Sequence, residues 1–262
     1  MPVLLDRRDD GVVVLTLDDP DRRNAMTEAM GDDLRDACDA LRDDPHVRAV
    51  VLTGTPPAFS AGGDLAMLQE LGRRTREEGF DATETMRGFY ARFLAVRQLP
   101  QPVVAAINGH AVGAGLCVAL ACDLRIVASE AKVGLNFSQL GLHPGMGGSW
   151  LLPRAIGDQR AALWLYTGRL VSGDEAAAAG MALEARPAAD VLPAALEVAA
   201  EIAAASPVTV RQLKATLLDP ADDLDTALGR EAAAQAVGYG TDDLAEGLAA
   251  AVERRAPTFP GR

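Results

Sequence analysis

Cysteine and positive charge are both scarce in this 262-residue chain, and no long uninterrupted hydrophobic run occurs in it. The three cysteines, Cys38, Cys117 and Cys122, are odd in number and show no zinc-type spacing. That argues against a disulfide framework and for a reducing compartment, and no metal site is expected. Lys plus Arg number 25 against 37 Asp plus Glu, a formal net charge of −12. Such a balance disfavours nucleic acid or an anionic membrane as partner, while leaving room for a small anion held by a few local arginines. The most apolar stretch, residues 103–128, is broken by Asn108, His110, Asp123, Arg125 and several glycines. It therefore reads as buried core and not as a membrane span. The first residues lack the layout of a signal peptide, so a cytoplasmic protein is expected.

What is present is an alternation of strand and helix signals. Val12 to Leu17 is a β-branched run that stops at Asp18-Asp19-Pro20. Thr27 is placed to cap a helix running to about Leu41, with Glu28 in its first turn. Further strands are expected at Val47 to Thr53, Val103 to Ile107 and Leu124 to Ala128, with a helix at Ala114 to Ala121. This order predicts right-handed crossovers and a mainly parallel sheet, hence an α/β fold. The charged stretch from Arg73 to Glu84 gives the weakest signal, compatible with a helix or with a mobile segment. After Pro144 the pattern turns almost wholly helical and Ala-rich from Ser149 to Arg254. The segment from Pro193 to Ala205 reads as an amphipathic helix with Glu197 and Glu201 on a solvated face.

Two glycine-rich segments each follow a strand and open a helix: Ala58-Phe59-Ser60-Ala61-Gly62-Gly63-Asp64-Leu65 and Asn108-Gly109-His110-Ala111-Val112-Gly113-Ala114-Gly115. Neither carries the Gly-Lys-Ser/Thr of a P-loop or the G-x-G-x-x-G of a dinucleotide fold. Each alone fits a tight strand-to-helix turn. As a pair they offer two backbone N–H groups for one oxygen, the layout that stabilises an enolate or a tetrahedral oxyanion.

These segments resemble the two signatures of the crotonase (enoyl-CoA hydratase/isomerase) superfamily. The first runs from Val51-Leu52-Thr53-Gly54 into Phe59 to Leu65, and the second from Pro102 through Gly115 to Cys122-Asp123-Leu124-Arg125. Leu140 to Gly148, Leu170 to Ala176, and the end from Glu246 to Phe259 also resemble family segments, in order and across nearly the whole chain. The resemblance implies a crotonase-type spiral of ββα turns over residues 1–195 and an all-helical trimerisation region over 196–262. It further implies a homotrimer or dimer of trimers and an acyl-CoA thioester as substrate, with coenzyme A part of that substrate and no separate cofactor. By the family pattern, the N–H groups of Ala61 and Ala114 form the oxyanion hole. Arg23, Ala25, Gly63, Asp64, Leu65 and Phe137 line the path of coenzyme A and the acyl group, and Arg22 and Arg23 are available to pair with phosphates.

The departure from the pattern concerns proton transfer. Hydratases resembling this chain place two glutamates at the substrate double bond. The matching positions here hold Cys117 and Phe137, and a third position used by some relatives holds Gly145. Standard hydration and one-base isomerisation are therefore not expected. Decarboxylation of a malonyl-type thioester, hydrolysis, or a non-catalytic acyl-CoA-binding role stay open. The candidates for proton chemistry are His143, whose titration range suits a general base, then Cys117 and Glu70. Asn136 and Ser138 are available to orient a substrate.

Overall fold

The computed structural model describes all of residues 1–262. Strand β1 (Val3–Arg7) pairs antiparallel with β2 (Val12–Leu17), which runs parallel to β3 (Ala49–Gly54). The same sheet continues in parallel through β5 (Val103–Ile107), β7 (Leu124–Ala128) and β10 (Glu184–Arg186). A second sheet is made of very short strands: β4 (Ala58–Ser60), β6 (His110–Val112) and β8 (Lys132–Gly134) in parallel, closed by antiparallel β9 (Val171–Ser172). After β1 and β2, which both belong to the long sheet, three successive turns of the chain (β3/β4, β5/β6, β7/β8) each give one strand to each sheet. β3 and β4 lead to helix α2 (Leu65–Glu78), and β5 and β6 lead to α5 (Ala114–Ala121). This is the expected ββα spiral. The short strands carry too few residues to show a two-residue period, so the sequence reads them as loop.

The long sheet is buried because its strands are nearly all apolar: β3 and β5 are buried at every position. Helix α1 (Glu28–Arg42) covers it with Met30, Leu34, Cys38 and Leu41, and Thr27 caps it by accepting from Met30 N–H. The charged stretch from Arg73 to Glu84 is helical over most of its length. It forms the end of α2 and the start of α3 (Thr83–Phe93), separated by Gly79 in the left-handed conformation. Its charges satisfy one another: Arg73 pairs with Glu70, Glu77 and Glu78.

After the short α4 (Ala95–Gln98), the C-terminal third holds α6 (Gly148–Ile156), α7 (Asp158–Thr167), α8 (Gly173–Ala178) and α9 (Ala188–Ala203), with β9 and β10 interrupting the expected all-helical run. Helix α9 turns Val191, Ala195 and Ala199 inward over the sheet. The line at 195/196 falls inside this continuous helix, and the chain leaves the sheet only after Ala203. Beyond it lie α10 (Pro207–Leu218), α11 (Leu224–Tyr239) and α12 (Asp242–Glu253). Lys214 of α10 is buried and reaches Asp123 Oδ2 at 2.7 Å and Gln101 O at 2.9 Å. Asp123 Oδ2 also accepts from Val103 N–H at 2.7 Å, so one carboxylate ties the tail to the start of β5. No single helix is long and apolar enough to cross a membrane.

Candidate active site

The two glycine-rich turns come together at the helix starts that follow β4 and β6. Gly62 has φ +93°, and a Cβ there would stand 2.5 Å from Val112 O and 3.4 Å from Ala114 N. Glycine is thus required both for the backbone angle and for the close approach of the two loops. Gly115 plays the matching part on the other side, since a Cβ there would meet Ser60 O at 2.6 Å. Asn24, fully buried with φ +54°, fastens the neighbouring loop. Its side-chain amide donates to Ala58 O at 2.7 Å and Thr55 O at 2.9 Å, and its Oδ1 accepts from Asp19 N–H at 2.9 Å.

The N–H groups of the first loop are mostly spent. Ala61 N–H donates to Arg23 O at 2.9 Å, Gly62 N–H to Ser60 Oγ at 3.2 Å, and Asp64 N–H to Met26 O at 3.3 Å. Gly63 N–H alone in this run has no acceptor. The expectation for Ala61 is corrected on this ground: its N–H is committed to the backbone, and the free donor lies two residues on. Ala114 is the first residue of α5, so its N–H has no intrahelical acceptor, and the added methyl group is accommodated as part of a regular helix start.

Gly63 and Ala114 share the wall of one cavity of about 760 Å³. Ala25, Ala61, Leu65 and Phe137 line it, and so does Arg22. Arg23 does not: it is exposed, and contributes its carbonyl to the loop. Nor does Asp64, whose carboxylate caps α2 through Met67 N–H at 2.8 Å and pairs with Arg22. The Phe137 ring abuts the turn before α5, where a Cβ on Gly113 would lie 3.8 Å from its Cζ. Apolar side chains from α2 and α3, among them Leu68, Leu71, Met86 and Phe89, complete the wall. Of its 25 residues none is aspartate or glutamate.

The candidate proton carriers separate clearly. His143 lies in the wall with Nδ1 2.9 Å from Pro144 O. A carbonyl only accepts, so Nδ1 carries the hydrogen and the neutral ring keeps Nε2 free as an acceptor. Cys117 is corrected out of the site. Its thiol is fully buried and contacts Gly145 O at 3.4 Å, and burial pushes its pKa up to about 12, so no thiolate forms near neutral pH. Glu70 is also excluded: it faces solvent outside the cavity, and its hydrogen bond from Arg73 holds its carboxyl below the usual range. Asn136 lines the cavity, and Ser138 does not. Tyr90, on α3, is in the wall and was not found from the sequence. Its signal was there: Met86, Phe89, Tyr90 and Phe93 recur at helical spacing beyond the charged stretch.

A two-sheet ββα spiral with free amides converging on an apolar cavity defines a crotonase-type α/β protein. The family model for enoyl-CoA hydratase/isomerase matches residues 7–262. A probable enoyl-CoA hydratase of Mycobacterium tuberculosis, EchA14, is 44% identical over 216 residues, 82% of this chain and 81% of its own. The crotonyl-CoA hydratase of Syntrophomonas wolfei is 33% identical over 255 residues, covering 96% and 95%. The crystal structure of the enoyl-CoA hydratase from Bacillus anthracis superposes with a TM-score of 0.90 at 34% identity, over 100% of both chains. The chain belongs to the enoyl-CoA hydratase/isomerase family.

Proposed function

We propose that this chain is an acyl-CoA enzyme that holds the thioester carbonyl oxygen between Gly63 N–H and Ala114 N–H and stabilises an enolate or oxyanion there. The reaction proposed is not two-carboxylate hydration. One observation carries it: the cavity that contains both free amides contains no carboxylate at all. The relatives bear hydratase names, which supports a coenzyme A thioester as the ligand. The two-carboxylate route to hydration, however, needs a pair of acids that this wall does not hold.

Decarboxylation of a malonyl-type thioester fits the wall better. Loss of CO2 leaves the bonding electron pair on the enolate, whose oxygen the two amides hold, and a proton then returns to the α-carbon. Amide donors aimed at developing charge in an apolar cavity are the main requirement. His143, in the wall with Nδ1 against Pro144 O, is the imidazole available to carry that proton. Hydrolysis would need an activated water beside the carbonyl carbon, for which His143 is the imidazole base in the wall.

The test is to incubate the purified protein with crotonyl-CoA and with methylmalonyl-CoA and follow both by mass spectrometry. CO2 loss from methylmalonyl-CoA with crotonyl-CoA left unhydrated is the expected outcome. Fast hydration of crotonyl-CoA would show that the missing carboxylates do not matter. Tight binding of a panel of acyl-CoAs without turnover of any would favour a non-catalytic binder.

A further inference from the structure

Helix α2 lines the cavity along one face. Leu65, Leu68, Leu71 with Gly72, and Thr75 with Arg76 follow one another at helical spacing, and all lie in the wall. At 1.5 Å of rise per residue, Gly72 stands about 10 Å along the axis from Leu65, and so from the turn that carries the free Gly63 N–H. Ala82, Met86 and Phe89 of α3 and the turn before it face this far end. The free amides and the far part of α2 therefore lie at two ends of a single cavity, with leucine side chains between them.

A guanidinium stands at the far end. Arg76 is four residues beyond Gly72, and a helical side chain leans over the turn that precedes it. A Cβ built on Gly72 would lie 3.1 Å from Arg76 Nη1 and 3.9 Å from its Cζ. Glycine is a poor residue for a helix interior; here its missing side chain leaves room for the guanidinium against the helix backbone. The neighbouring arginines are neutralised. Arg73 pairs with Glu70, Glu77 and Glu78, and Arg74 with Glu78 and the face of the Phe80 ring. Arg22, the other arginine of the wall, pairs with Asp64 and Asp19. Arg76 has no ion pair and no hydrogen bond within the protein, so it is the one uncompensated guanidinium in a wall that holds no Asp or Glu. The group that complements it is a ligand carboxylate, which a guanidinium grips with two parallel N–H donors.

We propose that Arg76, seated over Gly72, is a distal anion subsite that selects acyl-CoAs whose acyl chain ends in a second carboxylate. With ordinary bond lengths and angles an extended chain advances about 1.3 Å per carbon, so the far carboxylate of an eight-carbon diacid lies about 9 Å from the thioester carbon and that of a four-carbon diacid about 4 Å. The first reaches the guanidinium across the 10 Å of helix, and the second falls short. The inference rests on the thioester-binding reading above.

It is tested by isothermal titration of the full-length protein with suberyl-CoA, octanoyl-CoA, succinyl-CoA and butyryl-CoA. The wild type is expected to bind suberyl-CoA about tenfold tighter than octanoyl-CoA, the lower end of what a charge-assisted hydrogen bond contributes, since Arg76 is open to solvent. Succinyl-CoA should show no such advantage over butyryl-CoA. In Arg76→Gln the suberyl preference disappears, while octanoyl-CoA affinity moves less than twofold and reports that the variant is folded. Equal binding of suberyl-CoA and octanoyl-CoA by the wild type, or a preference that survives Arg76→Gln, overturns the proposal and leaves thioester binding intact. An equal loss for both thioesters in Arg76→Gln overturns it too, because the guanidinium would then be serving the coenzyme A phosphates that both ligands carry. Failure of the wild type to bind any of the four overturns the thioester reading and the proposal together.

Discussion

At the scale of single residues, the outcome turns on which polar groups are already spent. Ala61 and Gly63 sit on the same short loop, yet Ala61 N–H donates to Arg23 O and Gly63 N–H to nothing. The same accounting removes Asp64, engaged with Arg22 and the start of α2, and Glu70, engaged with Arg73. His143 is left as the wall group with a free basic nitrogen. With an active substrate, His143→Ala should lower kcat about 100-fold, in the range of a lost acid-base group, and an unchanged kcat would remove it from the mechanism. The cysteines follow from burial alone. Cys38, Cys117 and Cys122 are all buried with pKa values raised to about 12. The native protein should thus resist Ellman's reagent at pH 8 and release three reactive thiols only on denaturation; rapid native labelling of Cys117 would contradict its placement.

At the scale of elements, the hole is a property of a helix start. Ala114 is the first residue of α5, where proline is tolerated because the N–H has no intrahelical use. Ala114→Pro should therefore keep the fold, judged by circular dichroism, and lower kcat by about 100- to 1,000-fold through loss of one hole donor. Full activity in a folded variant would rule that amide out. At the other end of the chain, Glu246 on α12 accepts from Arg255 at 2.5 and 2.8 Å and from Thr258 N–H at 2.7 Å. Arg255 chiefly, then Thr258 N–H, lowers its pKa from 4.5 to about 2. A depressed carboxylate pKa means the contact is fully present above the unfolded value and is lost as pH falls through the folded one. The protection of the residue 255–259 amides, taken relative to the intrinsic exchange rate at each pH, should thus hold down to about pH 4.5 and fall as pH drops toward 2. Protection that does not change across that window would show that the clamp holds nothing.

At the scale of the molecule, the helical tail is both tied down and unfinished. Lys214 joins α10 to Asp123 and Gln101 at the edge of the sheet. Lys214→Met leaves Asp123 without its cation, and should cost about 3 kcal/mol in urea unfolding; no loss would mean that the pair is replaceable by apolar packing. Beyond it the tail exposes large apolar side chains, Leu217 at 78%, Leu224 at 74%, Tyr239 at 73% and Val252 at 84%, and α11 buries none of its residues. Such a surface is costly in water and is what a self-associating face presents. We propose that copies of this chain meet there as a trimer or dimer of trimers. Light scattering should give a mass of at least three chains, and Leu217→Lys should reduce it; a monomeric wild type would refute the assignment.

The sequence by itself determined four of the six long-sheet strands, the helix starts at Thr27 and Ala114, and the superfamily, because each is written in local signals: β-branched runs, a capping threonine, glycines where two backbones touch. It also puts Cys117 and Phe137, neither of them an acid, on the two segments that resemble the family's signatures. Only the tertiary structure decided which N–H groups remain free, because the partner of Ala61 lies 38 residues away at Arg23. Only folding could bring Tyr90 of α3 against Gly145, a contact that no stretch of sequence contains.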